Sequence, residues 1–217
     1  MRDEDRIAAL SAIFACPVSI ARALDARFVE QRFAHRETIA HQGDLVADCW
    51  LVVEGTAEVH CLGVEGQRVQ LMVHGPGELF GAFPEPAPCR GDIVAKGALL
   101  ALRIPTAALA ELARAHAALG VGLAAILARQ LEFVLDRMAA RTTLTAAGRV
   151  YAELLRLGGA EGRIAPPPVL AALALSVQTT RETASRAVAA LERRGIIRRD
   201  GDALTILSRR LLQDLVV

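Results

Sequence analysis

The sequence predicts an α+β chain: an N-terminal β-roll, then a long helix, then a C-terminal winged helix-turn-helix. Three observations lead there. Between residues 28 and 102, short apolar runs alternate with Gly, Pro and Asp punctuation, the texture of a compact β-sandwich or roll. From about 117 to 140, apolar residues recur every three or four positions with no proline among them. After residue 142, two short helical patterns joined by a brief turn precede apolar runs that flank Asp200-Gly201. That is a helix-turn-helix with a hairpin behind it.

In order, residues 3–14 and 18–27 read as two helices split by Pro17, with Ile7, Leu10 and Phe14 along one side of the first. Strands are expected at 38–40, 49–53, 57–62, 69–73, 92–95 and 99–102. The turns between them are expected at 41–44, 54–55, 63–66 and 75–78, and at Gly97. A helix near 107–116 leads into the long one. There Gly120, Ala124, Leu127, Leu131, Val134 and Met138 follow the alternating spacing of a coiled-coil seam. Such a seam buries itself against the chain's own sheet or against the same helix of a second chain. The second is expected, because a two-fold reader of DNA needs a dimer. Helices at 142–157 and 169–175 follow, the latter after Pro166-Pro167-Pro168, and then the helix that opens at Thr180. The domains expected are a sensor roll at 1–105, a dimerisation helix at 106–141 and a DNA-binding unit at 142–217.

The helix after Thr180 separates two jobs. Ala184, Ala187, Val188 and Leu191 share an inward stripe, while Arg181, Glu182, Ser185 and Arg186 face outward near the N-terminal end. Thr179 and Glu182 have capping-box spacing, and Gly195 marks the stop. An arginine can donate two hydrogen bonds to guanine, and a glutamate can accept from the cytosine amino group. The plain alternative is a solvated charged face. Charge distribution favours the first reading. Residues 142–217 hold eleven arginines against seven acids, whereas residues 1–141 hold fourteen basic and seventeen acidic residues. Arg193, Arg194, Arg198 and Arg199, around the hairpin, are placed to meet phosphates.

The 217 residues leave room for one large or two small domains, and 53% hydrophobic with 23% charged content fits a globular chain. Cys16, Cys49, Cys61 and Cys89 are scattered, with no paired spacing for zinc or an iron–sulfur centre, so no metal site is expected. The charged start at Met1 to Asp5 carries no leader pattern. The apolar stretch at 119–135 includes Arg129 and Glu132, which argues against a membrane span. A cytoplasmic protein with reduced thiols is expected.

The chain resembles the cyclic-AMP receptor protein / fumarate-nitrate regulator (CRP/FNR) family of bacterial transcription factors. The resemblance is carried by the run from Thr180 to Arg186, by Trp50 to Gly55, by Gly75 to Gly81, by Leu127 to Leu131 and by the order roll, long helix, winged helix. It implies a roll like a cyclic-nucleotide-binding jelly roll and a homodimer on an inverted-repeat operator. RNA polymerase is a further implied partner, and a membrane is not. Carried over residue by residue, the cyclic-AMP receptor's half-site readers match Arg181, Glu182 and Arg186. Those of the oxygen-sensing branch match Glu182, Ser185 and Arg186. Both patterns are satisfied, so the half-site stays open.

The sensor half departs from the family. Ala82 stands where a ribose-holding Glu follows the glycine cassette. Cys89-Arg90, or Arg90-Gly91 with a one-residue gap, stands where an Arg and a hydroxyl clamp the phosphate. Val134-Leu135 stands where Thr-Ser meets the adenine. An anionic sugar phosphate would lack its clamp there, so cyclic AMP is not expected. The pocket is expected around Phe80, Gly81, Ala82, Phe83, Cys89, Arg90, Val134 and Leu135. Its apolar character leaves haem or an apolar metabolite open, with His74 or Cys89 as an axial ligand, or a plain core. The alternative function is a ligand sensor whose winged helix is a protein-interaction module. No nucleophile–base arrangement, phosphate-cradling loop or metal set suggests an enzyme.

Overall fold

The computed structural model describes residues 3–63, 66 and 68–217. The chain forms two compact units, Met1–Glu132 and Phe133–Val217, divided within its longest helix.

In the first unit, helices α1 (Asp3–Ile13) and α2 (Val18–Asp25) precede the strands. These are β1 (Val29–Phe33), β2 (Thr38–Ala40), β3 (Leu45–Val46), β4 (Asp48–Leu62), β5 (Arg68–His74), β6 (Leu79–Gly81), β7 (Ala87–Pro88) and β8 (Asp92–Pro105). Helices α3 (Thr106–Ala115) and α4 (Ala117–Thr143) follow. The main sheet is antiparallel in the order β1-β8-β4-β5, with β2 added to β8 and β6 to β4, while β3 pairs with β7. Four expected strands are in fact two. The runs at 49–53 and 57–62 are one strand, β4, and those at 92–95 and 99–102 are one strand, β8. Gly55 and Gly97 do not end them. The β4–β8 ladder instead shifts register on both sides of Glu54, which bends the long pair into a roll. The turn expected at 63–66 lies partly outside the described residues.

The strand period of two builds two cores from one sheet. On β4, Cys49 and Leu51 point to the helices, joining Leu10, Phe14, Leu24, Leu109, Leu119, Leu123 and Ile126. Trp50 and Val52 point into the roll with Phe33, Phe80, Ile93, Leu99 and Ala101. The first half of α4 belongs to the helical core. Gly122 sits so close to the α1–α2 turn that a Cβ there would lie 1.7 Å from the Phe14 carbonyl oxygen. By length and composition α4 could cross a membrane. Its Leu119, Gly122, Leu123 and Ile126, however, are buried within this unit.

The second unit continues with α5 (Ala146–Gly158), β9 (Arg163–Ile164), α6 (Leu170–Ser176), α7 (Arg181–Arg193), β10 (Ile197–Arg199), β11 (Leu204–Ile206) and α8 (Arg209–Gln213). Val150 and Leu154 of α5, Leu173 of α6, the Ala184–Leu191 stripe of α7, Ile197, Leu204 and Leu212 make its core. The hairpin has a four-residue loop in which Asp200 Oδ1 accepts from the N–H groups of Asp202 and Ala203, at 3.0 and 2.8 Å. The short β9 adds a third strand on β11.

Candidate functional site

The outward face of α7 is built by its inward one. With Ala184, Ala187, Val188 and Leu191 buried, helical geometry leaves Arg181, Glu182, Ser185 and Arg186 exposed on the first two turns. The cap lies one residue later than expected. Thr180 is the N-cap, and its Oγ1 accepts from Thr183 N at 3.1 Å. Thr179 is spent elsewhere, its N–H closing α6 on the Ala174 carbonyl at 2.9 Å. Glu182 is therefore not a capping-box partner. It stands on the open surface, with Arg186 Nη1 3.5 Å from its Oε1. An ion pair this exposed contributes little, so both groups remain available to another partner. On the wing, Arg198 and Arg199 are exposed, and Arg199 Nε lies 3.3 Å from Glu192 Oε1.

What holds the turn before α7 is not legible in the sequence. Arg149 of α5 donates to the carbonyls of Val177 (2.9 Å), Gln178 (3.2 Å) and Leu144 (3.2 Å). Arg137 donates to the Ser176 carbonyl at 2.8 Å. An arginine on a helix reads as solvated surface when its partners are carbonyls, which every residue carries.

The first unit holds a cavity of about 300 Å³. Phe80, Gly81, Ala82, Phe83, Cys89 and Arg90 all line it, with Val46, Ile93 and Leu79 among the apolar wall. Two expected lining residues are not part of this wall. Val134 and Leu135 are exposed and belong to the second unit, and α4 lines the cavity through Leu127 and Gln130 one to two turns earlier. Gln130 was missed by sequence reasoning; its Nε2 donates to the Leu79 carbonyl at 2.7 Å. Gly81 takes a φ of +107°, and a Cβ there would meet the Asp48 carbonyl at 2.3 Å, so the wall at β6 admits no larger residue. His74 stacks on Phe80 (ring centroids 5.5 Å apart), and Phe80 in turn stacks on Trp50. Burial pulls the His74 imidazole down to about 4, so the ring is neutral. Its Nδ1 has no hydrogen-bond partner among the described residues, Glu78 Oε2 being 3.7 Å away. Burial pushes the Cys49 thiol up to about 11, and Cys49 Sγ donates to the Ala82 carbonyl. Cys89 Sγ donates to the Gly91 carbonyl. Among the described residues no group of three or more His, Cys, Asp or Glu could hold a metal ion.

The buried residues of α4 are Leu119, Gly122, Leu123 and Ile126, whereas Leu127, Leu131, Val134 and Met138 are 40, 58, 39 and 61% exposed.

Residues 30–116 match the cyclic nucleotide-binding domain, and residues 148–215 match the Crp-like helix-turn-helix domain. The chain belongs to the CRP/FNR family of transcription regulators. Both halves of a CRP/FNR regulator are thus present in the expected order, and the chain is a DNA-binding regulator. Among solved structures, a CRP-family transcriptional regulator from Thermus thermophilus is 25% identical, with 86% of this chain and 96% of that one covered and a TM-score of 0.69. FixK2 from Bradyrhizobium japonicum is 24% identical, with 88% and 98% covered and a TM-score of 0.77. A CooA mutant from Carboxydothermus hydrogenoformans is 17% identical, with 89% and 90% covered and a TM-score of 0.75. The last two are similar to this CRP/FNR chain in fold. No curated protein matches it.

Proposed function

We propose that this regulator reads an inverted-repeat operator as a cytoplasmic homodimer, one α7 per half-site, and acts on RNA polymerase from there. Its functional parts are a sensor at 1–105, a dimerisation helix at 106–141 and a DNA-binding part at 142–217. The observation that carries the reading is the sorting of α7: four apolar residues inward, and Arg181, Glu182, Ser185 and Arg186 exposed on its leading turns. Thr180 caps the helix that presents them, and Arg198 and Arg199 supply phosphate contacts that orient it. Exposed Leu127, Leu131, Val134 and Met138 form the seam between protomers.

The test is competition binding with Arg186→Ala. Losing a bidentate contact to one base should weaken operator binding by roughly 1–3 kcal/mol and relax preference at that base. Unchanged affinity and preference would refute the assignment of α7.

A second reading concerns the sensor. The cavity at Phe80, Phe83 and Leu127, with Ala82 in place of a ribose-holding carboxylate, suits an effector less polar than a cyclic nucleotide. Calorimetric titration with cyclic AMP should give no tight binding. Tight binding would overturn this reading and leave the DNA assignment standing.

A further inference from the structure

α6 ends in an unusual way for its sequence. Gln178 N–H bonds the Leu175 carbonyl, and Thr179 N–H bonds the Ala174 carbonyl, while Gln178 itself takes a φ of +54°. This is a Schellman ending, in which the left-handed position is usually glycine. A residue with a Cβ is disfavoured there, so its surroundings must hold it. They do so with guanidinium groups. The carbonyls of Ser176, Val177 and Gln178 point at the corner between α4 and α5. Arg137 takes the first, at 2.8 Å, and Arg149 takes the other two, at 2.9 and 3.2 Å. Arg141 Nη1 donates to the Gln178 side-chain oxygen. The third donor of Arg149 reaches Leu144, just before α5. Cations at a helix C-terminus also meet the negative end of its dipole.

The backbone direction at Gln178 sets where Thr180 caps α7, and hence where the leading turns of α7 point. We propose that Arg149 is a positioning residue for DNA reading: with Arg137 it clamps the α6–α7 turn and so aims the base-reading end of α7. The clamp touches no DNA. It fixes the second unit's own geometry, with residues from the end of α4 and from α5 gripping one turn. A planar guanidinium reaches three carbonyls at once, which a lysine ammonium on a flexible stem does not reproduce. The inference rests on the reading of α7 as the base-reading helix.

The experiment measures the ratio of affinities for an operator selected from random duplex DNA by the wild-type protein and for a scrambled duplex of equal length. It compares wild type, Arg149→Gln, Arg149→Lys, Arg137→Gln and Arg186→Ala, at a temperature where circular dichroism shows each variant folded. Arg149→Gln should lower the ratio roughly tenfold, as for the loss of a base contact, with affinity for the scrambled duplex retained. Arg149→Lys should restore only part of it, and Arg137→Gln should lower it less than Arg149→Gln. A merely structural arginine would lower the folded fraction and leave the ratio of the folded protein unchanged. An unchanged ratio in Arg149→Gln, or an equal loss on both duplexes, overturns the clamp. Should Arg149→Gln not fold, the ratio for Arg137→Gln decides by the same criteria. An unchanged ratio in Arg186→Ala would instead overturn the reading of α7 itself, so the two failures are distinguishable.

Discussion

Glu182 and Arg186 lie side by side with neither held by the fold, and that makes them usable. A residue spent on capping or on a buried pair could not turn to a base without cost to the protein. His74 shows the opposite case, a polar group whose environment has set its chemistry. Desolvation lowers its pKa to about 4, from an ordinary value of 6.5. Between those values the unfolded chain binds more protons than the folded one. Stability is therefore complete above about pH 6.5 and declines as pH falls toward about 4, by an amount on the order of 3 kcal/mol. His74→Phe keeps a ring against Phe80 and removes the titration. Urea unfolding near neutral pH and near pH 4.5 should show wild type losing more stability than His74→Phe over that interval; equal losses would contradict the assignment.

At the scale of elements, local signals and non-local partners divide what could be read. α7 was legible because its buried stripe and exposed face lie within one helix and its stop, Gly195, follows directly. β6 was not, since three residues become a strand only when Trp50 finds Phe80 across the ladder. Gly55 looked like a break, yet β4 runs through it, because an irregularity in pairing with β8 absorbs the bend. Cavity residues next to the glycine cassette were readable from local order and family pattern. Gln130 and Arg149 were not, since each is defined by carbonyls far along the chain. Gly122 is a similar case: in sequence it is only a weak helix former. In the fold it admits the Phe14 carbonyl, and Gly122→Ala should destabilise the first unit by roughly 1–3 kcal/mol through overpacking. Gly120→Ala serves as the control. Its added Cβ would meet nothing nearer than the Ala113 carbonyl at 3.5 Å, and it should be neutral or stabilising. Chemical denaturation separates the two, and equal effects would contradict the close approach.

At the scale of the whole molecule, one chain carries one α7 and an exposed apolar seam, and pairing two chains accounts for both. The same α4 that buries Leu119, Leu123 and Ile126 leaves Leu127, Leu131, Val134 and Met138 exposed, the positions proposed for the seam between protomers. Leu131→Glu should therefore give a monomer by analytical ultracentrifugation, with each unit's fold retained by circular dichroism; a dimer of unchanged stability would remove the seam from the account. The most direct test of the central claim is selection from random duplex DNA by purified wild type and Arg186→Ala, read by sequencing. Wild type should enrich an inverted repeat whose half-sites are spaced by about one helical turn, or a multiple of it. The variant should lose preference at one position of each half-site. Enrichment of a single, unrepeated site, or of the same repeat with the same preference by both proteins, would contradict that claim.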